Sequence, residues 1–476
     1  MRFSLRGRLG LALSFVAVLA MCLTLLFSTH NGAHATGSPT IKLSVSSGPP
    51  TTALTVTGKN FGASESVNVD FDTTLVGTAT TDITGAFSAS VKVPKAALPG
   101  NHTFKAVGQT SKLSATASFT VQTQWVAFGF DQHRAHYNPY ENVITHANVS
   151  ALVKDWSVTT GGAVSSSPVV VGGVVYVGSS DDKLYAINAT TGATLWSATT
   201  GGAITSSPTV DSGMIFVGSA DGKLYAFNKS GAQLWAFSTG GAITASPLAA
   251  GGVIYVGSSD DKLYAVNEST GTAAWSAPFA TGGAINSSAT ISAGVIYVGS
   301  NDGNLYAVNA GTGTAAWSAP FATGGAITSS PAVVNNAVYV GSDDGNFYAV
   351  NATTGVQNWK HLVGAAIDSS PAVYNNAVYV GAADQKVHAF KIGKGTGLWT
   401  YTTGGIVTSS PSVANTVAYV GSNDGKLYAL KASIGTFLWS YTIGAAVSSS
   451  PAIANGVVYV GSNDGNVYAF NLPNAG

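Results

Sequence analysis

The residues of this chain whose types and spacing could do chemistry fall into three sets. Carboxylates come first: Asp181, Asp221, Asp260, Asp302, Asp344, Asp384, Asp424 and Asp464 recur at steps of 39–42 residues, and Asp368 stands outside that series. Imidazoles come second: His133 and His136 make an H-x2-H pair, with His146 further on. Hydroxyls and amides come third: Ser165, Thr205, Thr244, Asn286, Thr328, Thr408 and Ser448 share one register with Asp368. A carboxylate among such groups could bind a cation or an amine, or act as a base. The periodic aspartates have a plainer use, because each opens a turn, and in five copies glycine follows directly. Aspartate caps such a turn and glycine accepts its positive φ. The histidines lack the acidic or cysteine partner of a familiar metal pattern, so they read as polar groups of an ordered loop. No G-x-S-x-G, H-E-x-x-H or phosphate loop is present, and no catalytic, cofactor-binding or metal-ligating residue is assigned. Asp368 could serve a ligand amine or a metal, but a hydrogen-bonded carboxylate facing water is the preferred reading.

The element that positions these groups is a unit that recurs from Gly161 to the C-terminus. One copy reads GGAITSSPTVDSGMIFVGSADGKLYAFNKSGAQLW, residues 201–235. Its proline falls at Pro168, Pro208, Pro247, Pro331, Pro371, Pro411 and Pro451, with Ala289 in the missing place, which makes eight copies. Each copy holds four short runs of Val, Ile, Tyr, Thr and Trp parted by turn residues. One such sheet cannot bury both its faces, and radial repetition solves this, as in a β-propeller. The register of Ser165 to Ser448 then lines the central channel. Trp156, Trp196, Trp235, Trp275, Trp317, Trp359, Trp399 and Trp439 read as glue between neighbouring sheets rather than as binding platforms.

Two departures from the repeat carry information. The chain ends at Val467-Tyr468-Ala469-Phe470-Asn471 without a final Trp strand, and a spare one, Asp155-Trp156-Ser157-Val158, precedes the first copy. The spare strand completes the last sheet and closes the ring. The third and fourth Trp turns read WSAPFATGG, two residues longer than the first. The added Phe279 and Phe321 then sit on adjacent loop tips, either as a partner-binding patch or packed on residues 123–154.

VYVGSSDDKLYAINATTGATLW, residues 175–196, resembles the pyrroloquinoline-quinone-type propeller repeat, and the resemblance extends over 155–471. It implies an eight-bladed propeller of four-stranded blades. It leaves function open, since that family holds both quinoprotein dehydrogenases and non-catalytic relatives. The dehydrogenases, as a family, use calcium held by carboxylates and amides, an Asp base and an adjacent-cysteine disulfide. This chain has one cysteine, Cys22, so no cofactor is expected.

Before the propeller lie three segments. Residues 1–35 read as an export signal: Arg2, Arg6 and Arg8, an apolar run from Leu9 to Phe27, and Ala33-His34-Ala35 before the cut. A retained membrane anchor and lipidation at Cys22 are the lesser alternatives. Residues 38–122 alternate at period two between turn signals, as a β-sandwich does. SSGPPTTALTVTGKNFGASESVNVDF, residues 46–71, resembles the immunoglobulin-like IPT/TIG domains of bacterial surface proteins. Residues 123–154, with Trp125, Phe128, Phe130, Tyr137 and Tyr140, are too aromatic for a free linker and should pack across one propeller face or rim.

Charged residues make up only 9% of the chain. Without the three early arginines, 18 basic residues face 21 acidic ones, so a nucleic acid partner is disfavoured. The expectation is an all-β, exported, monomeric protein, an immunoglobulin-like sandwich followed by an eight-bladed propeller. Its function would be non-enzymatic binding of an envelope protein or glycan. The alternatives are an oxidoreductase with a quinone or metal in the channel, and a structural surface spacer.

Overall fold

The structure, a computed structural model, describes residues 37–473. The expected export signal and Cys22 lie outside the described residues. The chain divides into two compact units, the first ending at Val121 and the second running from Gln122. Both are built from strands, and the helical content among the described residues is one 3-10 turn, Val149–Ala151. Among these residues no helix is long and apolar enough to cross a membrane.

In the first unit a three-stranded sheet holds Thr40–Leu43, Ala53–Lys59 and Phe87–Lys92. A five-stranded sheet is ordered Ser47–Gly48, Ser114–Val121, Gly100–Gly108, Ser66–Phe71, Thr74–Thr80. Alternate residues of these strands point inward, so Val56, Val67, Phe104 and Phe119 share one core, which Phe61 joins from the turn after Lys59. The strand Thr74–Thr80 is not foreseen from the sequence, being polar and carrying Gly77 at its centre. A Cβ at Gly77 would come within 2.7 Å of Val91, so glycine there permits close approach of the two sheets. Glu65 sits buried beneath the turn at 108–113. Its carboxylate accepts N–H bonds from Gly62, Thr110 and Ser111 and the Ser111 hydroxyl. Burial opposes ionisation, but those four donors hold its pKa below the usual carboxylate value.

The second unit contains eight sheets, one per repeat. The first is typical: Val169–Val171, Val174–Gly178, Lys183–Asn188 and Thr194–Thr199 in antiparallel order. The eighth takes Ala452–Ala454, Val457–Gly461 and Asn466–Asn471 from the C-terminus and its outer strand, Val153–Thr159, from before the repeats. Val153 faces Asn471 and Thr159 faces Asn466 across that junction.

The Ser-Ser-Pro motif explains how the sheets are joined. The second serine of each copy accepts the backbone N–H of the equivalent residue in the preceding sheet. Ser167 donates to Ser207, Ser207 to Ser246, Ser246 to Ser288 and Ser288 to Ser330. Ser330 donates to Ser370, Ser370 to Ser410, Ser410 to Ser450, and Ser450 back to Ser167, all at 2.8–3.0 Å. The bonds make a closed belt of eight, which places the first strand of every sheet innermost. The first serine works within its own sheet, where the Ser166 Oγ accepts the Gly178 N–H and its counterparts do likewise.

The tryptophans join the sheets further out. Each indole N–H donates to a backbone carbonyl of the following sheet, Trp156 to Ala189 and Trp196 to Lys229 among them, and Trp439 to Leu152 just ahead of the closing strand. Below Trp156 lies Gly192 at φ +70°, where a Cβ would press to 2.9 Å on the indole. The Thr-Gly turn therefore both reverses the chain and seats the neighbour's ring.

Candidate functional site

The residues expected around the axis are brought together at one mouth of the ring. Ser165, Asn286, Thr328, Thr408 and Ser448 are half-buried, and Thr205, Thr244 and Asp368 are exposed. Neighbouring members touch: Thr244 donates to Asn286 at 3.0 Å, and Thr328 donates to Asp368 at 2.7 Å. The sequence reading missed a second layer beside them, the residue between Ser and Asp in each V-G-S-x-D turn. Asn423 accepts from Thr408 at 3.5 Å, and Asn463 accepts from Ser448 at 3.2 Å. Asp343 fills this layer beside Asp368. Desolvation and the Asp368 carboxylate, to which it hydrogen-bonds, push the Asp343 carboxyl up to about 6. The signal was present, because this position varies among the eight turns and is acidic in the fifth alone.

The eight periodic aspartates do not face that mouth as free carboxylates. In seven copies the tyrosine four residues on donates its hydroxyl to the aspartate at 2.5–2.6 Å, as Tyr185 does to Asp181. The other Asp oxygen takes turn N–H groups such as those of Lys223 and Asn304. In the sixth copy His388 replaces the tyrosine and its Nε2 lies 3.0 Å from Asp384. Burial lowers the pKa of His388 even though Asp384 raises it.

Phe279 and Phe321 lie in outer strands, Phe279–Ala280 and Phe321–Ala322, and not on loop tips. Each ring is half-buried and packs edge-on against a tyrosine of the next sheet, Tyr306 at 5.7 Å and Tyr348 at 5.5 Å. The two-residue insertion is absorbed by the bend before each Phe, which interrupts the outer strand.

The opposite end of the axis is filled by the aromatic segment after residue 122. Trp125 exchanges both backbone bonds with Val170 of the first sheet, and Val210 of the second donates to the Val126 carbonyl. Ile291 of the fourth sheet donates to Gln132, Val333 of the fifth to His133, Val373 of the sixth to Ala135 and Val413 of the seventh to His136. Tyr137–Asn138 then pairs parallel with Ser412–Ala414, and the Asn138 amide donates to Ile453 of the eighth. The third sheet is reached by a side chain. Arg134 donates to the Ser246 and Pro247 carbonyls, and also to Ala289 and Phe128. The segment thus reaches all eight sheets, seven of them at the residue five positions beyond Ser165 or its equivalent, and the third at Ser246 and Pro247, two and three positions beyond Thr244. It was expected on a face or rim; it is a plug in the channel.

The plug's polar core is unusual. Arg134 is 1% exposed and His136 0%. Burial lowers the Arg134 pKa to about 9, partly offset by Asp131, and burial with the Arg134 charge lowers His136 to about 3. Neither ring nitrogen of His136 has a hydrogen-bond partner. Arg134 was visible in the sequence as the one arginine beyond residue 8. The H-x2-H pair is divided by the fold: His133 is partly exposed beside Asp131, and His136 is sealed inside. Among the described residues no group of three or more His, Cys, Asp or Glu side chains lies together as metal ligands would.

Three solved structures share this architecture. BamB from Moraxella catarrhalis matches with TM-score 0.60 and 20% identity over 69% of this chain and 99% of that one. A europium-containing methanol dehydrogenase matches with TM-score 0.64 and 15% identity, over 73% and 98%. The quinohemoprotein alcohol dehydrogenase from Comamonas testosteroni matches with TM-score 0.64 and 18% identity, over 73% and 80%. At such identities the likeness is one of fold, a β-propeller. Comparison with curated proteins finds no match. The family described as outer membrane protein assembly factor BamB matches residues 148–281, 220–328 and 301–475, most of the chain, and the chain belongs to that family.

Proposed function

We propose that this is an exported, non-enzymatic binding protein of the cell envelope, in which an immunoglobulin-like module precedes an eight-bladed propeller. The partner is an envelope protein or glycan held at the open mouth of the ring. The observation that carries this reading is the chemistry of that mouth. It offers Ser, Thr and Asn side chains and backbone turns, with Asp368 and Asp343 as the acidic members of its two layers. Hydroxyls and amides spread around a circle suit recognition of a polar, uncharged surface through many weak hydrogen bonds. The belt of eight serines and the plug behind it fix the ring, so the mouth is preorganised. The BamB-type repeats and the export-signal pattern of residues 1–35 support an envelope location.

A quinone with calcium, as in dehydrogenases of similar fold, does not fit the groups present. The mouth has no basic side chain among its ring residues, no adjacent cysteines, and its two carboxylates are committed to each other and to Thr328.

The test is binding of the full chain to purified cell-envelope fractions, protein-rich and glycan-rich, by surface plasmon resonance. The pair Thr244→Arg with Thr408→Arg places bulk and charge on opposite sides of the mouth, four sheets apart, without touching the core. It should abolish binding and leave the melting temperature unchanged. Undiminished binding by this variant would overturn the assignment to the mouth. Stoichiometric quinone uptake with calcium, accompanied by dye-linked substrate oxidation, would overturn the non-enzymatic reading.

A further inference from the structure

The plug differs in kind from the ring it closes. In the sheets the left-handed residues, among them Asp182, Ser212, Ala293 and Thr416 beside glycine and asparagine, sit in the turns between strands, and the buried hydroxyl of Tyr419 lacks a partner. The plug instead holds three non-glycine residues in the left-handed region: Phe130 at φ +82°, Arg134 at +51° and His136 at +48°. It buries a guanidinium whose partners are backbone carbonyls, with no carboxylate in ion-pair distance. It also buries an imidazole whose two nitrogens are both unpartnered. Each of these features costs free energy that only the surrounding contacts repay. Stored strain and unmet polar groups lower the cost of releasing this segment relative to the sheets around it.

We propose that residues 125–138 open as a unit and that protonation of His136 drives the opening, converting a one-mouthed ring into a through-channel. The geometry gives the direction. A protonated imidazole needs two acceptors, and none lies at either nitrogen of His136. Its ring is wedged against Phe128 at 4.8 Å and against the backbone at Gly129. The charged group acting on it is Arg134, from its own segment, which repels it. Asp131 acts on Arg134 rather than on His136. His133 stands partly exposed beside Asp131. Farther along, Glu141 is bound by the N–H groups of Val143, Ile144 and Gly456, and of the sheets' titratable groups the buried Tyr419 is coupled to Glu141. No carboxylate is therefore placed to accept the charge of His136 while the plug is seated. Once released into water, the same imidazole titrates near 6.5.

The sign and size follow from linkage. The seated pKa is depressed, to about 3, so the seated form is favoured above pH 6.5 and loses ground as pH falls below it. Between pH 7.5 and pH 5.0 the open population should rise about 30-fold. What opens is confined to the plug, because the serine belt contains no group that titrates in this range.

The experiment is amide hydrogen exchange on the full chain at pH 7.5 and 5.0, expressed as protection factors to remove the intrinsic pH dependence. The N–H groups of Val210, Ile291, Val333, Val373 and Val413 donate to the plug, and those of Ser207, Ser288, Ser330, Ser370 and Ser410 donate to the belt. The first set should lose protection about 30-fold at pH 5.0 while the belt set keeps it. In His136→Leu the loss should vanish. His136→Asn serves as a second variant, since asparagine tolerates a positive φ and does not titrate. Equal acid-induced loss in wild type and in both variants would overturn the role of His136. Loss from plug and belt together, or from neither, would overturn the plug as a separate opening unit.

Discussion

Closure of the ring rests on a strand that reaches the last sheet from the far side of the repeats, and Trp156 is the residue that tests it. This indole is 8% exposed, lies 5.9 Å from the Tyr459 ring, covers Gly192 of the first sheet and donates to the Ala189 carbonyl. One side chain thus joins the closing strand to both the last sheet and the first. Trp156→Ala removes a buried aromatic and leaves the cavity, a change that costs about 3–5 kcal/mol. It also removes the shorter of two hydrogen bonds to the Ala189 carbonyl, leaving that from the Tyr459 hydroxyl. For a unit this large about 2 °C of melting temperature goes with each kcal/mol, so a fall of about 6–10 °C is expected. Trp156→Phe keeps most of the area but loses the hydrogen bond and should fall by roughly a third as much. The internal control is Trp235→Ala, which makes the equivalent contacts to Glu268 and Gly271 in a sheet whose strands are consecutive in sequence. That variant should lose similar stability but stay monomeric. Trp156→Ala should in addition associate on mild heating, because the edge of Asn466–Asn471 is freed when its partner strand frays. Differential scanning calorimetry with light scattering reads both. If Trp156→Ala melts like the wild type, or shows no more association than Trp235→Ala, closure by this strand does not carry the ring's stability.

Three further outcomes are expected. Ser207→Ala removes the acceptor of the buried Ser167 N–H and should cost about 1–3 kcal/mol, seen as a lower urea midpoint for tryptophan fluorescence. Tyr419→Phe should be neutral or slightly stabilising, because its buried hydroxyl has no partner, whereas Tyr297→Phe should destabilise by breaking the bond to Ala352; paired urea melts compare them. Glu65 has a depressed folded pKa, so its contribution is present above the unfolded value of 4.5 and is lost as pH falls through that range. Glu65→Gln should flatten the acid dependence of the first unit's calorimetric transition. Fluorescence should not register the change, because residues 1–121 contain neither Trp nor Tyr.

The sequence by itself determined the features that are local. Period-two patterning, Asp-Gly turns and the recurring proline define four strands per copy, because these depend on residues within a few positions of each other. The spare Trp strand before the first copy and the missing one after the last pointed to the pairing of Val153–Thr159 with Asn466–Asn471. The periodic aspartates were rightly referred to the turn, although their tyrosine partners appeared only in three dimensions.

Other features required the tertiary structure. The belt joins serines 39–42 residues apart, and 283 apart at the closure from Ser450 to Ser167. Nothing in a Ser-Ser-Pro tripeptide says which serine faces its own sheet and which faces the next. The aromatic side chains of residues 123–154 announced that the segment packs on the ring, but it is held mostly through backbone N–H groups, which every residue but proline carries, so no side-chain pattern placed it in the channel. Phe279 and Phe321 looked like loop tips because an insertion was read as added length. The packing of each ring against the next sheet's tyrosine turned that length into a bend within the strand. Asp343 and Asp368, 25 positions apart, became one acidic pair only when the ring brought the fifth and sixth sheets side by side. The order of the strands was set by the chemistry of near neighbours, and the site was decided by which strands the closed ring made adjacent.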